Sequence, residues 1–366
     1  MVLRGAQDFF RAPLSLFIPA LVAGLLLSSA GCSHLTRGYR GPTSDHFDGT
    51  RFVQPEPLSI GFWDWVKREL TKHRGPWRTF TPADPAPCPP SRVEDGRLRV
   101  TWVNHGTVLV QMDGANLLFD PTWAERSFPT VGPRRRRPPG IPFEDLPPID
   151  AVLISHDHQD HMDLPTLRRL SREHGPVVFV GLGNASYLAR KGVTGVRELD
   201  WWGSEPLAPG LTVTAVPARH MSGRGLFDAD RTLWCGWVVS GLHGSVYDAG
   251  DTGVGRHFAE IAARFPDLRL ALLPIGGFQP PWYMREQHLG PRDALDVQGA
   301  LGGPFLVPVH FGTFPQSDDA ELEPPAELRR AVAERPAPRP PVALLDNGGS
   351  VEVPSLDSLR AGARRD

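Results

Sequence analysis

The sequence predicts an α+β fold in which two β-sheets pack against each other and carry helices on their outer faces. Three observations predict it. Short apolar segments of strand length recur between Leu98 and Val309, with turn signals such as Asp113-Gly114 between them. A few helix-like segments are interleaved with these strands. The chain has 366 residues, 40% hydrophobic and 22% charged, which is enough to bury a core without covalent crosslinks.

Residues 1–31 are predicted to be a signal peptide that lies outside this fold. Two arginines precede an uncharged apolar run over 13–27, and small residues follow it. The run is short for a stable membrane span. Its ending, Ser-Ala-Gly-Cys at 29–32, is similar to a bacterial lipobox, although Ser stands where Leu is usual. We therefore expect lipidation of Cys32 and an exported protein in a bacterial cell envelope; an uncleaved anchor helix is the alternative.

Residues 32–97 are predicted to form a Pro-rich linker and N-terminal extension. Five prolines lie between residues 82 and 90, and this density excludes long helices and central strands. One helix is expected at about 61–73. The remainder is expected to run extended and to wrap the core.

The folded domain is predicted to cover 98–353, with a C-terminal tail over 354–366. Its strands are expected at Leu98–Val103, Thr107–Met112, Asn116–Asp120, Ile149–Ile154, Val177–Val180, Leu211–Val216, Trp234–Val239, Ser245–Asp248, Leu270–Pro274 and Leu306–Val309. Helices are expected at Asp163–His174, Val254–Phe265 and Pro291–Leu301. In the first of these, Asp163 is a candidate N-cap and Pro165 lies in the first turn.

The charge and cysteine content exclude several classes of function. The formal net charge is −2 and the pI about 6.7, so no overall basic field would hold nucleic acid, and we expect no nucleic-acid partner. Three cysteines are too few for a disulfide scaffold or a zinc-finger array. Cys235 is expected to be a small buried residue; a Cys88–Cys235 disulfide after export is left open.

The segment that carries chemistry is 156–161, which reads HDHQDH and lies between a buried strand and the capped helix. Side chains two residues apart in an extended chain point the same way, so His156 and His158 are placed to hold one metal ion. The turn into the helix directs Asp160 and His161 to a second position. Imidazole and carboxylate groups are ligands that Zn²⁺ prefers. Four of them within six residues predict a metal site rather than a solvated polar loop.

This HxHxDH pattern resembles that of the metallo-β-lactamase superfamily. The resemblance implies a four-layer αββα sandwich and two Zn²⁺ ions. It also implies that a histidine, an aspartate and a second histidine, each at a strand end, complete the site. The matching positions are His220, Asp251 and His310. By this resemblance one ion is held by His156, His158 and His220, the other by Asp160, His161 and His310, and Asp251 bridges the two.

The expected charge of the site favours an anionic substrate. Two zinc ions would bring four positive charges, of which Asp160 and Asp251 neutralise two. The positive surplus suits a phosphodiester. Two metals a few ångström apart are also suited to in-line displacement at phosphorus.

Further segments resemble the family of phospholipases D that hydrolyse N-acyl-phosphatidylethanolamine, over about 98–353. They are 131–137 (VGPRRRR), 146–156 (LPPIDAVLISH), 198–202 (ELDWW), 274–278 (PIGGF), 282–284 (WYM) with 287–288 (QH), and 310–314 (HFGTF). The resemblance implies a phospholipid substrate cleaved to phosphatidate and an N-acylethanolamine, and it implies a homodimer. It also implies that Asp251 orients the attacking water and that His288 contacts substrate or assists the leaving group. Gln159 is the candidate substrate residue that departs from the family, because eukaryotic members have Tyr there.

Two other groups of residues have two interpretations each. The run Arg134–Arg137 would meet anionic headgroups at a membrane surface, or is a solvated charge run. The aromatic residues would line an acyl-chain groove or belong to the core. They are Trp201, Trp202, Phe278, Trp282 and Tyr283.

Two rival functions remain open at this point. The first is another hydrolase on the same fold, such as a lactonase, a β-lactamase or a nuclease. Zinc β-lactamases often have Cys at the position of Asp251, and a nuclease would need a basic surface. The second is a non-catalytic envelope lipoprotein whose metals are structural or which binds lipid for transport or assembly. A structural zinc site, however, closes its coordination with protein ligands, whereas this ligand set leaves room for water.

Overall fold

A computed structural model describes residues 38–82, 86–129, 132–225 and 227–363. The expected signal peptide and Cys32 lie outside the described residues. Within these ranges, no helix has the length and apolarity needed to cross a bilayer.

Two β-sheets form the centre of the molecule, as predicted. The seven-stranded sheet has the order β13-β1-β2-β3-β4-β5-β6, and the six-stranded sheet has the order β12-β11-β10-β9-β8-β7. The strands of the first sheet are β1 (Leu98–Asn104), β2 (Thr107–Met112), β3 (Ala115–Phe119), β4 (Ala151–Ile154), β5 (Val177–Gly181), β6 (Val196–Leu199) and β13 (Ser350–Glu352). Those of the second are β7 (Ser204–Ala208), β8 (Leu211–Val216), β9 (Gly236–Gly241), β10 (Gly244–Asp248), β11 (Leu268–Pro274) and β12 (Phe305–Val309).

The described helices surround these sheets. They are α1 (Phe62–Thr71), α2 (Leu164–Glu173), α3 (Ala185–Arg190), α4 (His257–Arg264), α5 (Pro281–Met284), α6 (Pro291–Ala300), α7 (Glu323–Glu334) and α8 (Leu356–Ala363). Leu164, Leu167 and Leu170 of α2 pack in one apolar cluster with Val152 and Ile154 of β4. Helix α6 contacts α7 and β11 of the other sheet. The α+β class, with helices outside paired sheets, is therefore confirmed.

The main core lies where the two sheets meet. Trp102 and Phe119 of the first sheet belong to the same buried cluster as Val213, Trp237 and Leu272 of the second. Strands β2, β3, β4, β10 and β11 are buried along their whole length. Full burial explains why these strands have continuous apolar runs in the sequence rather than an alternating pattern.

The predicted elements differ from the observed ones where local sequence patterns are weak. The strand expected from Trp234 begins at Gly236, because the amide of Cys235 bonds Ser155 instead of a neighbouring strand. The helix expected from Val254 begins at His257. Strands β6, β7 and β13 and helices α3, α5, α7 and α8 were not expected. These are short, polar or proline-containing segments whose pattern predicts no regular structure.

The segment before β1 packs on the core. Phe47 and Phe52 are buried with Leu233 and Trp234. The amide Nε2 of Gln54 donates to the carbonyl oxygen of His220 at 3.1 Å. This segment therefore contacts the backbone of His220, one of the predicted metal ligands. Cys88 is exposed and Cys235 is buried, and both thiols are free, so the disulfide left open above does not form.

Candidate metal centre

Strand ends bring the predicted ligands together. The HxHxDH segment begins two residues after β4, and His310 directly follows β12. Asp251 lies three residues beyond β10, and His220 four residues beyond β8. Polar side chains at the ends of buried strands are able to meet at one edge of the sandwich while the strands themselves stay apolar.

Asp251 lies at the centre of the cluster. Its Oδ2 atom is 3.2 Å from Nε2 of His161 and 3.3 Å from Nε2 of His310. The same oxygen is 3.8 Å from Nε2 of His220 and 3.9 Å from Nε2 of His156. One carboxylate oxygen therefore faces imidazoles of both predicted ligand sets, as a bridging position requires.

The first ligand set forms a compact group of three imidazoles. Nδ1 of His158 lies 2.7 Å from Nε2 of His156 and 3.4 Å from Nε2 of His220. The nitrogens of all three side chains are close enough to hold one ion together. This arrangement is the one that the sequence predicted for these residues.

The second ligand set contains one residue that sequence reasoning missed. Asp160, His161 and His310 lie together, and His105 joins them. Nε2 of His105 is 2.9 Å from Oδ2 of Asp160. His105 lies in the turn between β1 and β2. It was missed because no other histidine, aspartate or glutamate lies close to it in the sequence to form a ligand motif.

Several buried polar atoms of the cluster lack hydrogen-bond partners. Among the described residues they include Nε2 of His161, both ring nitrogens of His310, and Oδ1 of Asp251. Burying an unsatisfied polar group costs about 1–3 kcal/mol. A divalent ion removes that cost, because imidazole nitrogen and carboxylate oxygen are its ordinary ligands. The side chains present therefore fit a metal.

A second layer of contacts orients the candidate ligands. Oδ2 of Asp120 lies 2.7 Å from Nδ1 of His161, and Asp120 also accepts from the backbone amide and hydroxyl of Ser155. Nδ1 of His220 lies 3.0 Å from the carbonyl oxygen of Gln287. Such contacts direct the other ring nitrogen toward the metal position. Asp120 directly follows β3, and this position at a strand end is the only sequence feature that would have marked it as a functional residue.

Three residues of this site adopt a left-handed backbone conformation. His105, Asp120 and His310 have φ angles of 45°, 38° and 60°. A non-glycine residue in this left-handed region costs roughly 1–3 kcal/mol and persists where the surrounding structure imposes it. Here the amide of His310 bonds the carbonyl of His105 at 2.9 Å, which couples two of the strained residues.

Burial and neighbouring charges shift the pKa values of the cluster. Burial, reinforced by nearby imidazoles, lowers the pKa of His156 far below its usual value, and burial does the same for His220. Burial would raise the pKa of Asp251, but the imidazoles of His310, His161 and His288 hold it well below its usual range. Neutral imidazole and ionised carboxylate are the forms that bind metal.

The two predicted substrate residues differ in their distance from the cluster centre. Nδ1 of His288 lies 3.9 Å from Oδ2 of Asp251, and burial lowers the pKa of His288 to about 4. The amide Nε2 of Gln159 instead donates to the carbonyl oxygen of Arg224 at 3.0 Å. His288 therefore faces the same centre as the candidate ligands, whereas the Gln159 amide is held by the loop that follows His220.

The arginine run does not form a headgroup-binding surface as a unit. Arg135 is buried and donates to the carbonyl oxygens of Ala124 and Thr122. Arg136 donates to a backbone carbonyl, and Arg137 pairs with Glu321 at 3.3 Å. Only Arg134 of the four is exposed. Arg135, Arg136 and Arg137 therefore tie loops of the protein together, and the buried Arg135 fits neither earlier interpretation of the run.

The aromatic candidates divide between core and surface. Phe278 is buried, and Trp201 stacks on His46 at 4.7 Å and donates to the carbonyl of Trp234. Trp202 is covered by Arg264 at 3.6 Å. Trp282 is exposed and Tyr283 is partly buried.

Comparison with known proteins agrees with this fold and site. The family model described as beta-lactamase superfamily domain matches residues 115–311, which contain every predicted ligand of the centre. The chain therefore belongs to the metallo-β-lactamase superfamily, and it is a metal-dependent hydrolase of that class.

Three relatives place the chain within this class. It is 36% identical over 251 residues to N-acyl-phosphatidylethanolamine-hydrolyzing phospholipase D 1 of Caenorhabditis elegans, a match covering 65% of this chain and 70% of that protein. It is 32% identical over 240 residues to a metal-dependent hydrolase of Methanopyrus kandleri, covering 65% and 92%. The solved structure of Igni18, a metallo hydrolase of Ignicoccus hospitalis, superposes with a TM-score of 0.54 at 25% identity, covering 70% and 99%.

Proposed function

We propose that this protein is a dinuclear zinc phosphodiesterase that cleaves N-acyl-phosphatidylethanolamine to phosphatidate and an N-acylethanolamine. The observation that carries the proposal is the central position of Asp251 Oδ2 between the two ligand sets. His156, His158 and His220 would hold one ion, and Asp160, His161 and His310 the other. The similarity to a curated phospholipase D supports the choice of substrate.

The protein supplies a buried polar site in which the carboxylates of Asp160 and Asp251 would neutralise part of the charge of two bound divalent ions. Bound divalent ions would add Lewis acidity toward phosphoryl oxygens and would lower the pKa of water near them. Asp251 contributes a carboxylate that orients the attacking water toward phosphorus. Asp160 is fixed in turn by His105 and by Nε2 of Gln316, each at 2.9 Å from its Oδ2 atom. The chain thus holds its anionic groups rigid while a charged diester binds.

His288 is placed to act on the substrate. Its Nδ1 atom is buried without a hydrogen-bond partner among the described residues and faces Asp251. Its low pKa keeps the ring neutral at neutral pH, so the ring is able to donate one hydrogen bond to a phosphoryl oxygen or to the departing alkoxide. Replacement of His288 by Gln should lower kcat while leaving the metal content unchanged.

The decisive experiment is hydrolysis by the purified, zinc-loaded full chain in ¹⁸O-labelled water. Attack at phosphorus places the label in phosphatidate and none in the N-acylethanolamine, which mass spectrometry of both products distinguishes. Metal analysis should give two zinc ions per chain. Hydrolysis of a panel of lactones and of nitrocefin is measured under the same conditions as hydrolysis of the diester. Turnover of a lactone together with no turnover of the diester would refute the proposal.

We further infer a membrane-anchored location in a bacterial cell envelope, with Cys32 acylated and the chain paired as a homodimer. The lipobox-like sequence supports the anchor. Metabolic labelling with an alkynyl fatty acid should mark the wild-type protein and not the Cys32→Ala variant. Light scattering of the detergent-solubilised protein should give the mass of two chains; the mass of a single chain would contradict the dimer.

A further inference from the structure

The turn that follows β11 is held by the carboxylate of Asp319. Its Oδ2 atom accepts from the backbone amide of Gly277 at 2.6 Å, and its Oδ1 atom accepts from the amide of Gln279 at 2.8 Å. The amide of Phe278, between these two, lies 3.4 Å from Oδ2. Three consecutive amides therefore converge on one side chain that comes from a distant part of the sequence. Successive amides that point into one concavity form a site for an anion.

Asp319 supplies this anion from the interior of the protein, where it is 2% exposed. Burial raises the pKa of its carboxyl to about 6, against the opposing effect of the amides of Gln279 and Gly277. The group is therefore mostly ionised at neutral pH, and both of its oxygens are acceptors. A hydrogen bond to an ionised acceptor is stronger than one between neutral groups. The carboxylate therefore fixes the turn more firmly than backbone contacts alone would.

The turn packs against the ring of His288. Gly277 has a φ angle of 76°, and a Cβ atom at this position would lie 3.2 Å from Nδ1 of His288. A Cβ atom at Gly276 would lie 2.2 Å from the carbonyl oxygen of His310. The backbone of the turn thus lies directly against the candidate substrate residue and a candidate metal ligand, with no room for a side chain between them.

The orientation of the His288 ring depends on this packing. The amide of His288 bonds the carbonyl oxygen of Met284 at 2.8 Å, which fixes the backbone but not the ring. In the part of the chain that the structure describes, Nδ1 of the ring is buried and has no hydrogen-bond partner. The ring centroid lies 5.2 Å from that of His220 and 5.4 Å from that of His310. A small displacement of the turn would therefore move the ring relative to both candidate ligands.

The backbone that carries Asp319 is fixed by the segment before β1. Nε1 of Trp77 donates to the carbonyl oxygen of Asp319 at 2.7 Å, and the amide of Gly75 bonds the carbonyl oxygen of Asp318 at 2.8 Å. A Cβ atom at Gly75 would lie only 2.6 Å from the amide nitrogen of Ala320. Asp319 is thus held in place independently of the turn that its carboxylate holds.

We propose that Asp319 is a positioning residue that keeps the ring of His288 in the orientation needed for hydrolysis. It acts through the turn at 276–279 and touches neither the substrate nor a metal ion. The inference rests on the proposed role of His288 in catalysis. The hold of Asp319 on the turn, in contrast, does not depend on which substrate is hydrolysed.

The first measurement is hydrogen exchange of the zinc-loaded full chain. Asp319→Asn keeps the size of the side chain but replaces one acceptor oxygen by an NH₂ group. Exchange in peptides that cover 276–279 should become faster on the order of tenfold. Asp318→Asn is the matched control, because the Asp318 carboxylate accepts from the amide of His73 at 3.2 Å instead. Equal exchange of the turn in the two variants would overturn the proposal.

The second measurement reports the His288 ring itself. Labelling with ¹³C at Cε1 gives one NMR signal for each of the 13 histidines, and loss of a signal in His288→Gln identifies that of His288. This signal should shift in Asp319→Asn and not in Asp318→Asn. Gly277→Ala, which brings a β-carbon against the ring and leaves the carboxylate intact, gives the same test if Asp319→Asn does not fold. An unmoved signal in the folded variant would overturn the proposal.

A double-mutant cycle separates positioning from a general loss of stability. Asp319→Asn should lower kcat on the order of tenfold while KM and zinc content stay unchanged. Asp319→Glu, which retains the carboxylate, should restore most of the rate. In the His288→Gln background, Asp319→Asn should cause no further loss, because the residue it positions is absent. An equal loss of kcat in both backgrounds would refute the proposal.

The two proposals for this site fail in different ways. A wild-type chain that hydrolyses no diester refutes the phosphodiesterase proposal alone, because the exchange and NMR measurements need no substrate. Normal diester hydrolysis by a folded Asp319→Asn variant refutes the positioning role alone.

Discussion

At the scale of single residues, the centre depends on side chains whose charges are fixed by their neighbours. Asp251 is surrounded by imidazoles, and although burial would raise its pKa, the neighbouring imidazoles of His310, His161 and His288 hold that pKa low. Asp120 touches the candidate ligand His161 rather than the cluster centre. Asp251 should therefore decide whether metal binds at all, whereas Asp120 should affect only the affinity of that binding.

Replacing Asp251 by Asn should abolish hydrolysis. The amide keeps the size of the carboxylate but loses the negative charge that two cations would share. The expected loss in kcat exceeds about 100-fold, the upper range for residues that merely orient a ligand. Rate measurements and metal analysis of the same sample check this. Full metal content with near-normal kcat would contradict a bridging role.

Replacing Asp120 by Asn should weaken metal binding without removing a ligand. The amide no longer fixes the proton on Nδ1 of His161, so metal affinity should fall about 10–100-fold. Asp113→Asn is the matched control, because Oδ1 of Asp113 lies 2.7 Å from Nδ1 of His243 at the surface. Competition with a chromophoric chelator measures both variants. Equal affinities of the two would show that Asp120 has no positioning role.

At the scale of elements, the buried carboxylate of Glu321 is one of the contacts that hold the segment before β1 to the rest of the chain. Nε and Nη2 of Arg78 donate to Glu321 at 2.9 and 2.7 Å, and Arg137 approaches the same carboxylate at 3.3 Å. Burial would raise the pKa of Glu321, but Arg78 and Arg137 lower it to about 2. Glu321 therefore links the extension, the arginine run and the segment preceding α7.

The contribution of Glu321 to stability should depend on pH in a defined direction. Its pKa is lower in the folded chain than the ordinary value of 4.5, so the stabilisation is complete above about pH 4.5 and is lost as pH falls toward 2. Glu321→Gln should cost roughly 1–3 kcal/mol at pH 7 and progressively less below pH 4.5. Urea unfolding at several pH values measures the difference.

A surface ion pair serves as the control for that series. Glu352 lies 3.3 Å from Arg99 and is 46% exposed, so Glu352→Gln should cost less than about 1 kcal/mol at any pH. A penalty for Glu321→Gln that stays constant between pH 7 and pH 3 would mean that its ionised form is not what stabilises the junction.

At the scale of the whole molecule, the metal centre joins both sheets. Ligands come from the loops after β4 in one sheet and after β8, β10 and β12 in the other. Without an ion, the buried imidazoles and carboxylate are left unsatisfied. Metal binding to the folded state alone should therefore stabilise the entire sandwich.

Removal of metal should lower the thermal midpoint of unfolding. At a free metal concentration 1,000 times the dissociation constant, the stabilisation is about 4 kcal/mol, equivalent to roughly 8–15 °C in a domain of this size. Calorimetry with chelator, and again after zinc is restored, measures the shift. The Asp251→Asn variant should show a much smaller change. A midpoint indifferent to chelator in the wild type would argue against a bound metal.

The sequence by itself determined the features that depend on neighbouring residues. The HxHxDH segment, the buried strand before it and the helix after it are local patterns, and the structure reproduces them. The side chain of Asp163 makes no cap hydrogen bond, because it accepts from the amide of Trp123 and the hydroxyl of Thr166 instead. The positions of His220, Asp251 and His310 were identified through the resemblance to the metallo-β-lactamase superfamily, because none of them shows a ligand pattern on its own. Short or polar elements such as β7 were not predictable, because the alternation of apolar and polar residues over so few positions is weak evidence for a strand.

Only the tertiary structure decided which residues meet across long separations. His105 and Asp160 are 55 residues apart in the sequence, and Asp120 and His161 are 41 apart. The burial of Arg135 and the free state of Cys88 and Cys235 were likewise invisible in the local pattern. The physical reason is that periodicity records which side of an element faces the core, whereas a contact between distant residues depends on how the whole chain packs.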